Sequence, residues 1–282
     1  MKHVIWYHCV TFIFVFLNTI DFNNIYIYIM SNSDALYNAA QHGKLEKVNQ
    51  LLEKGADPNK ASTNGSTPLV MASQEGYLSI VKTLLEKGAD PNKASTNGST
   101  PLIMASQDGN LPLVNFLLGK GADPNKAKTT TGSTPLYVAS LNGHHPVVEA
   151  LLKHGAAVDQ ARTNRSTPLY IASQEGNLSV VVSLLKKGAD PNMATTDGVT
   201  PIQAATENNH MDILDMLREY DRRNKTMVGI AGLQTFSNDF NAAELPEDTY
   251  KYLGKKGIHY GGRRRKTRKS NKSNKSNKKR RL

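Results

Sequence analysis

Between residues 33 and 220, apolar and polar positions follow a pattern that recurs every 33 residues, and once after 34. Within one copy, Leu69, Met71 and Ala72 give a short segment a small apolar face, and Leu78, Val81, Leu84 and Leu85 carry the spacing of one buried helical stripe. Two short helices are predicted. Thr67 suits the N-cap of the first, because its hydroxyl can accept from an orphan backbone N–H. Pro68 suits the first helical position, where its missing N–H is no loss. Gly76 and Gly88 stop the two helices, since a residue with positive φ closes a helix best without a Cβ. The stretch from Asp90 to Gly98 is predicted to project as an extended hairpin, with Asn97-Gly98 at its turn.

The repetition is explicit. The phrase Ser62-Thr-Asn-Gly-Ser-Thr-Pro-Leu69 returns at Ser95–Leu102, then in altered form at Lys128–Leu136 with one extra residue, at Arg162–Leu169 and at Thr195–Ile202. The closing phrase Gly-Ala-Asp-Pro-Asn starts at Gly55, Gly88, Gly121 and Gly188, with Gly155-Ala-Ala-Val-Asp159 as a variant. One such helix pair is too small to bury its own apolar face, whereas stacked copies share a continuous core. The ends look adapted to solvent. The first unit, Ser33–Ala61, lacks Thr-Pro-Leu and turns Asp34, Gln41 and His42 outward. The last has Asn208-Asn209 in place of the glycine stop, and its second helix, Met211–Tyr220, gains Asp212, Asp215, Arg218 and Glu219.

These elements (Gly-x-Thr-Pro-Leu, the following Ala, the mid-repeat Gly, Leu-Leu and Gly-Ala-Asp-x-Asn) closely resemble the ankyrin-repeat family over about Ser33–Tyr220. The resemblance implies an all-α solenoid of helix–turn–helix units with β-hairpin fingers, and a family that works mostly by binding other proteins on its concave side. One departure stands out. The family usually has His after Thr-Pro-Leu, where this chain has Val70, Ile103, Tyr137, Tyr170 and Gln203. Apolar packing between neighbours is the expected substitute for the hydrogen bond that His would make.

Residues 1–30 have a different composition, with no Ala, Gly, Pro, Ser, Gln, Glu or Arg. Their apolar run, Val4–Leu17, is 14 residues long. A membrane-spanning helix needs about 20. Asn18-Thr19-Ile20 is a poor cleavage site for a signal peptide, and Ile25–Ile29 alternates like a strand. Three readings stay open: a leader absent from the working protein, with Met30-Ser31 as a fresh start; a signal or anchor; or an ordered cap. The single cysteine, Cys9, excludes an intramolecular disulfide and a multi-thiolate zinc site, and favours a reducing, intracellular setting.

Charge changes the picture only once it is located. The net charge is +11, yet residues 249–282 hold 15 Lys or Arg and no acid, which leaves 20 basic and 24 acidic residues, or −4, in the remainder. The basicity belongs to the tail 254–282, predicted to be disordered for want of apolar residues. Arg263, Arg264, Arg265, Lys266, Arg268 and Lys269 form one cluster, and Lys278, Lys279, Arg280 and Arg281 another. Such blocks suit nuclear localisation. The alternatives are sequence-blind attachment to RNA or DNA by counterion release, or a purely solubilising tail. Residues 221–253 are predicted to be a linker or docked segment. Within them Leu245-Pro246-Glu247-Asp248 resembles the start of an F-box without the helical sequence that should follow.

No catalytic set emerges, so no enzyme activity, cofactor or metal is expected. Asp57, Asp90, Asp123 and Asp190 sit one repeat apart and cannot converge as a dyad. His144, His145 and His154 lack the spacing of a zinc motif. The sequons at Asn64, Asn97, Asn164 and Asn177 would place glycans on or near the fingers, which argues against secretion.

The expected function is a monomeric protein-interaction scaffold in the cytoplasm or nucleus, contacting membrane only if residues 1–30 stay as an anchor. Its binding surface would use Thr63, Asn64, Ser66, Gln74 and Glu75. The equivalents are Thr96, Asn97, Ser99, Gln107 and Asp108; Thr130, Thr131, Ser133, Leu141 and Asn142; Thr163, Asn164, Ser166, Gln174 and Glu175; and Thr196, Asp197, Val199, Glu207 and Asn208. Tyr137, Leu141 and Tyr170 break the pattern and are candidate hot spots, although both tyrosines would equally fill the space left by the missing His.

Overall fold

Helix pairs follow one another along the chain. The computed structural model describes the backbone of residues 22–231 and the side chains of residues 32–222. Among these residues there are twelve helices and no strand: α1 (Phe22–Gln41) with α2 (Leu45–Glu53), α3 (Pro68–Gln74) with α4 (Leu78–Glu86), α5 (Pro101–Gln107) with α6 (Leu111–Gly119), α7 (Pro135–Leu141) with α8 (His145–Lys153), α9 (Pro168–Gln174) with α10 (Leu178–Lys186), and α11 (Pro201–Glu207) with α12 (Met211–Ala231). All twelve belong to one compact unit. Each first helix packs on its own second helix and on the first helix of the next unit.

The local chemistry acts as the sequence predicts. Thr67, Thr100, Thr134 and Thr167 each accept at Oγ1 from the backbone N–H three residues on, at 3.3, 3.2, 3.0 and 3.1 Å. In the last unit Thr200 does so from Gln203, and Gln203 Oε1 accepts in return from the Thr200 N–H at 2.8 Å. That reciprocal pair is a capping box. Gly109 shows why the helices must end in glycine. Its φ is +70°, and a Cβ there would come within 2.7 Å of the His144 ring in the next unit. In the last unit Asn209 takes the same left-handed conformation, at φ +58°.

Four expectations need correction. Ile25–Ile29 is helical, inside α1, despite its strand-like alternation. The last helix runs on to Ala231 instead of stopping at Tyr220. In α4 the buried stripe is Ile80, Val81 and Leu84, with Leu78 and Leu85 only half-buried, because those two lie roughly 100° round the helix from the centre of the stripe, at the edge of the packed face. The fingers are closed turns without paired strands. Ser95 N–H donates to the Ser99 carbonyl at 3.0 Å and Gly98 N–H to the Ser95 carbonyl at 2.8 Å, so Thr96-Asn97 is the turn centre and Gly98 follows it at φ +82°. Upstream, Asp90 makes a turn of its own with Asn92, Oδ1 accepting from the backbone N–H at 2.7 Å, which leaves too few residues for a ladder.

Adjacent units are stitched by polar side chains. Asn59 Nδ2 donates to the Gly88 carbonyl at 2.8 Å while its Oδ1 accepts from the Asp90 N–H at 2.8 Å. Asn92 and Asn125 repeat the pair one and two units on. Asp159 stands where the next Asn would be, and as a carboxylate it only accepts, from the Asp190 N–H at 3.2 Å. Burial raises its pKa; the hydrogen bond from the Asp190 N–H lowers it, and the Asp190 charge raises it again. A carboxyl whose pKa is higher folded than unfolded makes stability fall as pH rises between the two values, and the deficit persists above them. Asp159→Asn removes that deficit and adds a donor facing the Gly188 carbonyl. It should raise stability at neutral pH by about 1 kcal/mol, and thermal melts should show the gain shrinking below about pH 4. A lower melting temperature at pH 7 would refute this reading.

Candidate functional site

The hairpin tips are held side by side by the backbone. Thr96 N–H and Oγ1 both donate to the Asn64 carbonyl, at 3.3 and 2.8 Å. Thr129 N–H donates to the Asn97 carbonyl at 3.1 Å, Thr163 N–H to the Thr131 carbonyl at 3.1 Å, and Thr196 N–H to the Asn164 carbonyl at 3.0 Å. The extra residue of the fourth unit is absorbed here: Thr129 takes the link from the preceding tip and Thr131 gives the next one. Within a tip, Asn64 Oδ1 accepts from the Ser62 hydroxyl at 2.5 Å and the Ser66 N–H at 3.0 Å. Asn97 does the same with Ser95 and Ser99. These asparagine oxygens lock the turn and are not open to a partner.

Between the tips and the first helices runs a groove of about 770 Å³. Val70, Met71 and Met104 make its apolar floor. Asn64 and Asn97 border the finger side, Gln74, Glu75, Gln107 and Asp108 the helix side, Tyr37 and Gln41 the first-unit end, and Lys128 the far end. Burial and the neighbouring Glu75 carboxylate raise the pKa of Asp108, while His144 opposes them. The groove therefore lies over the first three units and reaches the fourth only at Lys128, whereas the apolar exceptions in the sequence point to the fourth and fifth.

The predicted surface residues divide by exposure. Thr63, Asn64, Gln74, Glu75, Thr96, Asn97, Gln107, Asp108, Thr130, Leu141, Asn142, Thr163, Asn164, Glu175, Thr196, Asp197, Glu207 and Asn208 are exposed, and Thr131, Gln174 and Val199 are half-buried. Ser66, Ser99, Ser133 and Ser166 are buried, because each begins the return from its hairpin into a helix N-cap.

Tyr137 is 3% exposed and belongs to a core cluster with Val70, Ile103, Met104, Val138 and Ile171, against which the half-buried Tyr170 packs. Apolar packing thus fills the positions after Thr-Pro-Leu, and Tyr137 is core rather than accessible surface. Its hydroxyl lies 3.3 Å from Ser166 Oγ and accepts from Arg162 Nη1 at 3.4 Å. Burial, together with the nearby Glu207, Tyr137 and Asp197, raises the pKa of Tyr170.

The histidines bridge units or close helix ends. His144 Nε2 is 3.0 Å from the Gln107 carbonyl, His145 Nε2 3.0 Å from Ser183 Oγ, and His154 Nδ1 2.8 Å from the Ala150 carbonyl. Among the described residues no group of His, Cys, Asp and Glu could hold a metal, and no helix is long and apolar enough to cross a membrane. The basic clusters Arg263–Lys269 and Lys278–Arg281, the F-box-like segment and residues 1–21 lie outside the described residues.

A model of ankyrin repeats, three copies long, matches the chain at residues 8–95, 36–128, 102–195 and 169–245. The chain belongs to the ankyrin-repeat family, whose repeats are generally protein-interaction modules and typically non-enzymatic. No curated protein matches it.

Sequence reasoning missed one exposed residue of the hairpin tips. Arg165 is exposed at the fifth tip with φ +62°, at the place of Gly65, Gly98, Gly132 and Gly198, whose φ values run from +71° to +82°. A side chain in that region is strained. Its signal lay in the altered phrase at Arg162–Leu169, where Arg replaces Gly. Arg165→Gly should raise stability by about 0.5–1 kcal/mol, reduced by the freedom glycine adds to the unfolded chain. An unchanged or lower urea midpoint would show that Arg165 makes a compensating contact.

Proposed function

We propose that this protein is a non-enzymatic scaffold that holds a partner protein in the groove between its hairpins and first helices, while the basic tail directs it to a nucleus. The observation that carries the reading is the groove itself: an apolar floor with a rim of exposed amides and carboxylates contributed by three successive units. Such a surface supplies desolvation at its centre and hydrogen-bonding choice at its edge. Its residues vary less between units than the positions around Tyr137, Leu141 and Tyr170, so specificity would come from the fourth and fifth units continuing the same surface. Leu141, 37% exposed at the end of α7, is the apolar side chain available there.

Gln107→Arg together with Glu75→Arg in the full chain should abolish capture of the partner while leaving the melting temperature nearly unchanged, since both side chains are exposed. Deleting residues 254–282 should leave capture intact at high salt. Capture that needs the tail and disappears with salt would favour nucleic-acid attachment instead. A reporter fused to Gly261–Leu282 should concentrate in nuclei, and changing Arg263, Arg264, Arg265 and Lys266 to Ala should weaken this. A cytoplasmic reporter would overturn the targeting role.

A further inference from the structure

One hairpin position changes chemistry along the stack. Its occupants are Ser62, Ser95, Lys128, Arg162 and Thr195. In the second and third units the serine hydroxyl stays within its own turn, bonded to the tip asparagine at 2.5 and 2.6 Å. In the fourth and fifth units two cations take its place in adjacent turns. The Thr163 N–H bond to the Thr131 carbonyl sets these two turns side by side, and burial lowers the pKa of the Lys128 ammonium, with the Arg162 charge lowering it further.

Neither cation belongs to an ion pair among the described residues. Arg162 is nevertheless held in place. Its guanidinium lies over the Tyr137 ring at 5.0 Å, its Nη1 donates to the Tyr137 hydroxyl at 3.4 Å, and its Nε is out of solvent without an acceptor. Two half-buried like charges destabilise a fold unless something opposite sits between them. Serine at this position closes the turn without that penalty, as the second and third units demonstrate. A guanidinium fixed on an aromatic face is also pre-oriented, so little further order is lost when it grips an oxyanion. Lys128 meanwhile borders the groove.

We propose that Lys128 and Arg162 together receive an oxyanion side chain, a carboxylate or a phosphoester, from the partner segment lying in the groove. This rests on the groove being the binding surface. Charge-assisted hydrogen bonds from both cations would anchor that side chain at the boundary of the fourth and fifth units and set the direction of the segment.

The test uses the full chain labelled with ¹⁵N-arginine. Its readout is the Arg162 Nε–Hε resonance, whose proton is sheltered from exchange with solvent. Three probes are titrated: a hexapeptide of glutamate, one of phosphoserine, and one of glutamine. The glutamate or phosphoserine peptide should shift the resonance saturably and the glutamine peptide should not. Whichever binds more tightly identifies the source of the oxyanion. Lys128→Ser should weaken binding about tenfold. The basic tail is present in both proteins, so its own affinity for acidic peptides cancels from the comparison of Lys128→Ser with the wild type.

Lys128→Ser should also melt at the same temperature as the wild type or higher, because it relieves the opposition to Arg162. An unmoved resonance, equal affinity for the glutamine peptide, equal affinity of Lys128→Ser, or a lower melting temperature of that variant would each overturn the proposal. Partner capture that survives Lys128→Ser with Arg162→Ser removes the oxyanion receptor but leaves the groove standing. Loss of the groove reading itself shows in Gln107→Arg with Glu75→Arg.

Discussion

Leu151→Asp is expected to unfold part of the stack. Leu151 is fully buried in the last turn of α8, a helix that packs on α7, α6 and α10. The change removes a buried isobutyl group, worth about 2–5 kcal/mol, and places a carboxylate where no cation or donor is arranged to meet it. Because each unit contacts only its neighbours, damage in the fourth need not spread evenly. Thermal circular dichroism should show a broadened or two-step melt. Amide exchange should be fastest from α7 to α10, with α3 retaining more protection. A melt superimposable on the wild type would mean that Leu151 does not face the core.

The second large effect is expected at Tyr137. Tyr137→Ala should lower stability by about 3–5 kcal/mol, the usual range for truncating a buried aromatic residue. It empties the space between Ile103 and Ile171 and frees Arg162 from the ring. Tyr137→Phe should cost under about 1.5 kcal/mol, since it gives up only the long contacts to Ser166 and Arg162. Urea denaturation of both variants separates the packing of the ring from its hydroxyl. If Tyr137→Ala stayed as stable as the wild type and merely lost partner binding, the residue would be surface after all. For the same reason Tyr170, only partly buried, is the better position for an alanine test of binding, with folding checked alongside.

The sequence alone was enough to determine the repeat, its helix boundaries at the Thr-Pro starts and glycine stops, the family, and the small apolar face of each first helix. All of these are local: a cap, a positive φ and a helical stripe are readable within about a dozen residues. It also located the exposed amide and acid rim, because those residues occupy one position per unit. Contact with the neighbouring unit decided the rest. The Ile25–Ile29 stretch joins α1 although its alternation suits a strand, because no second strand among the described residues pairs with it. Tyr137 becomes core while Tyr170, at the equivalent position, stays half-exposed, because the units that follow them differ: one offers Ile171 and Arg162, the other Gln203 folded back into its own capping box. The pairing of Lys128 with Arg162 was likewise invisible in the chain, where 34 positions separate them. Stacking brings each residue beside its counterpart one repeat away, so burial and charge at any position depend on which side chain the next unit presents there.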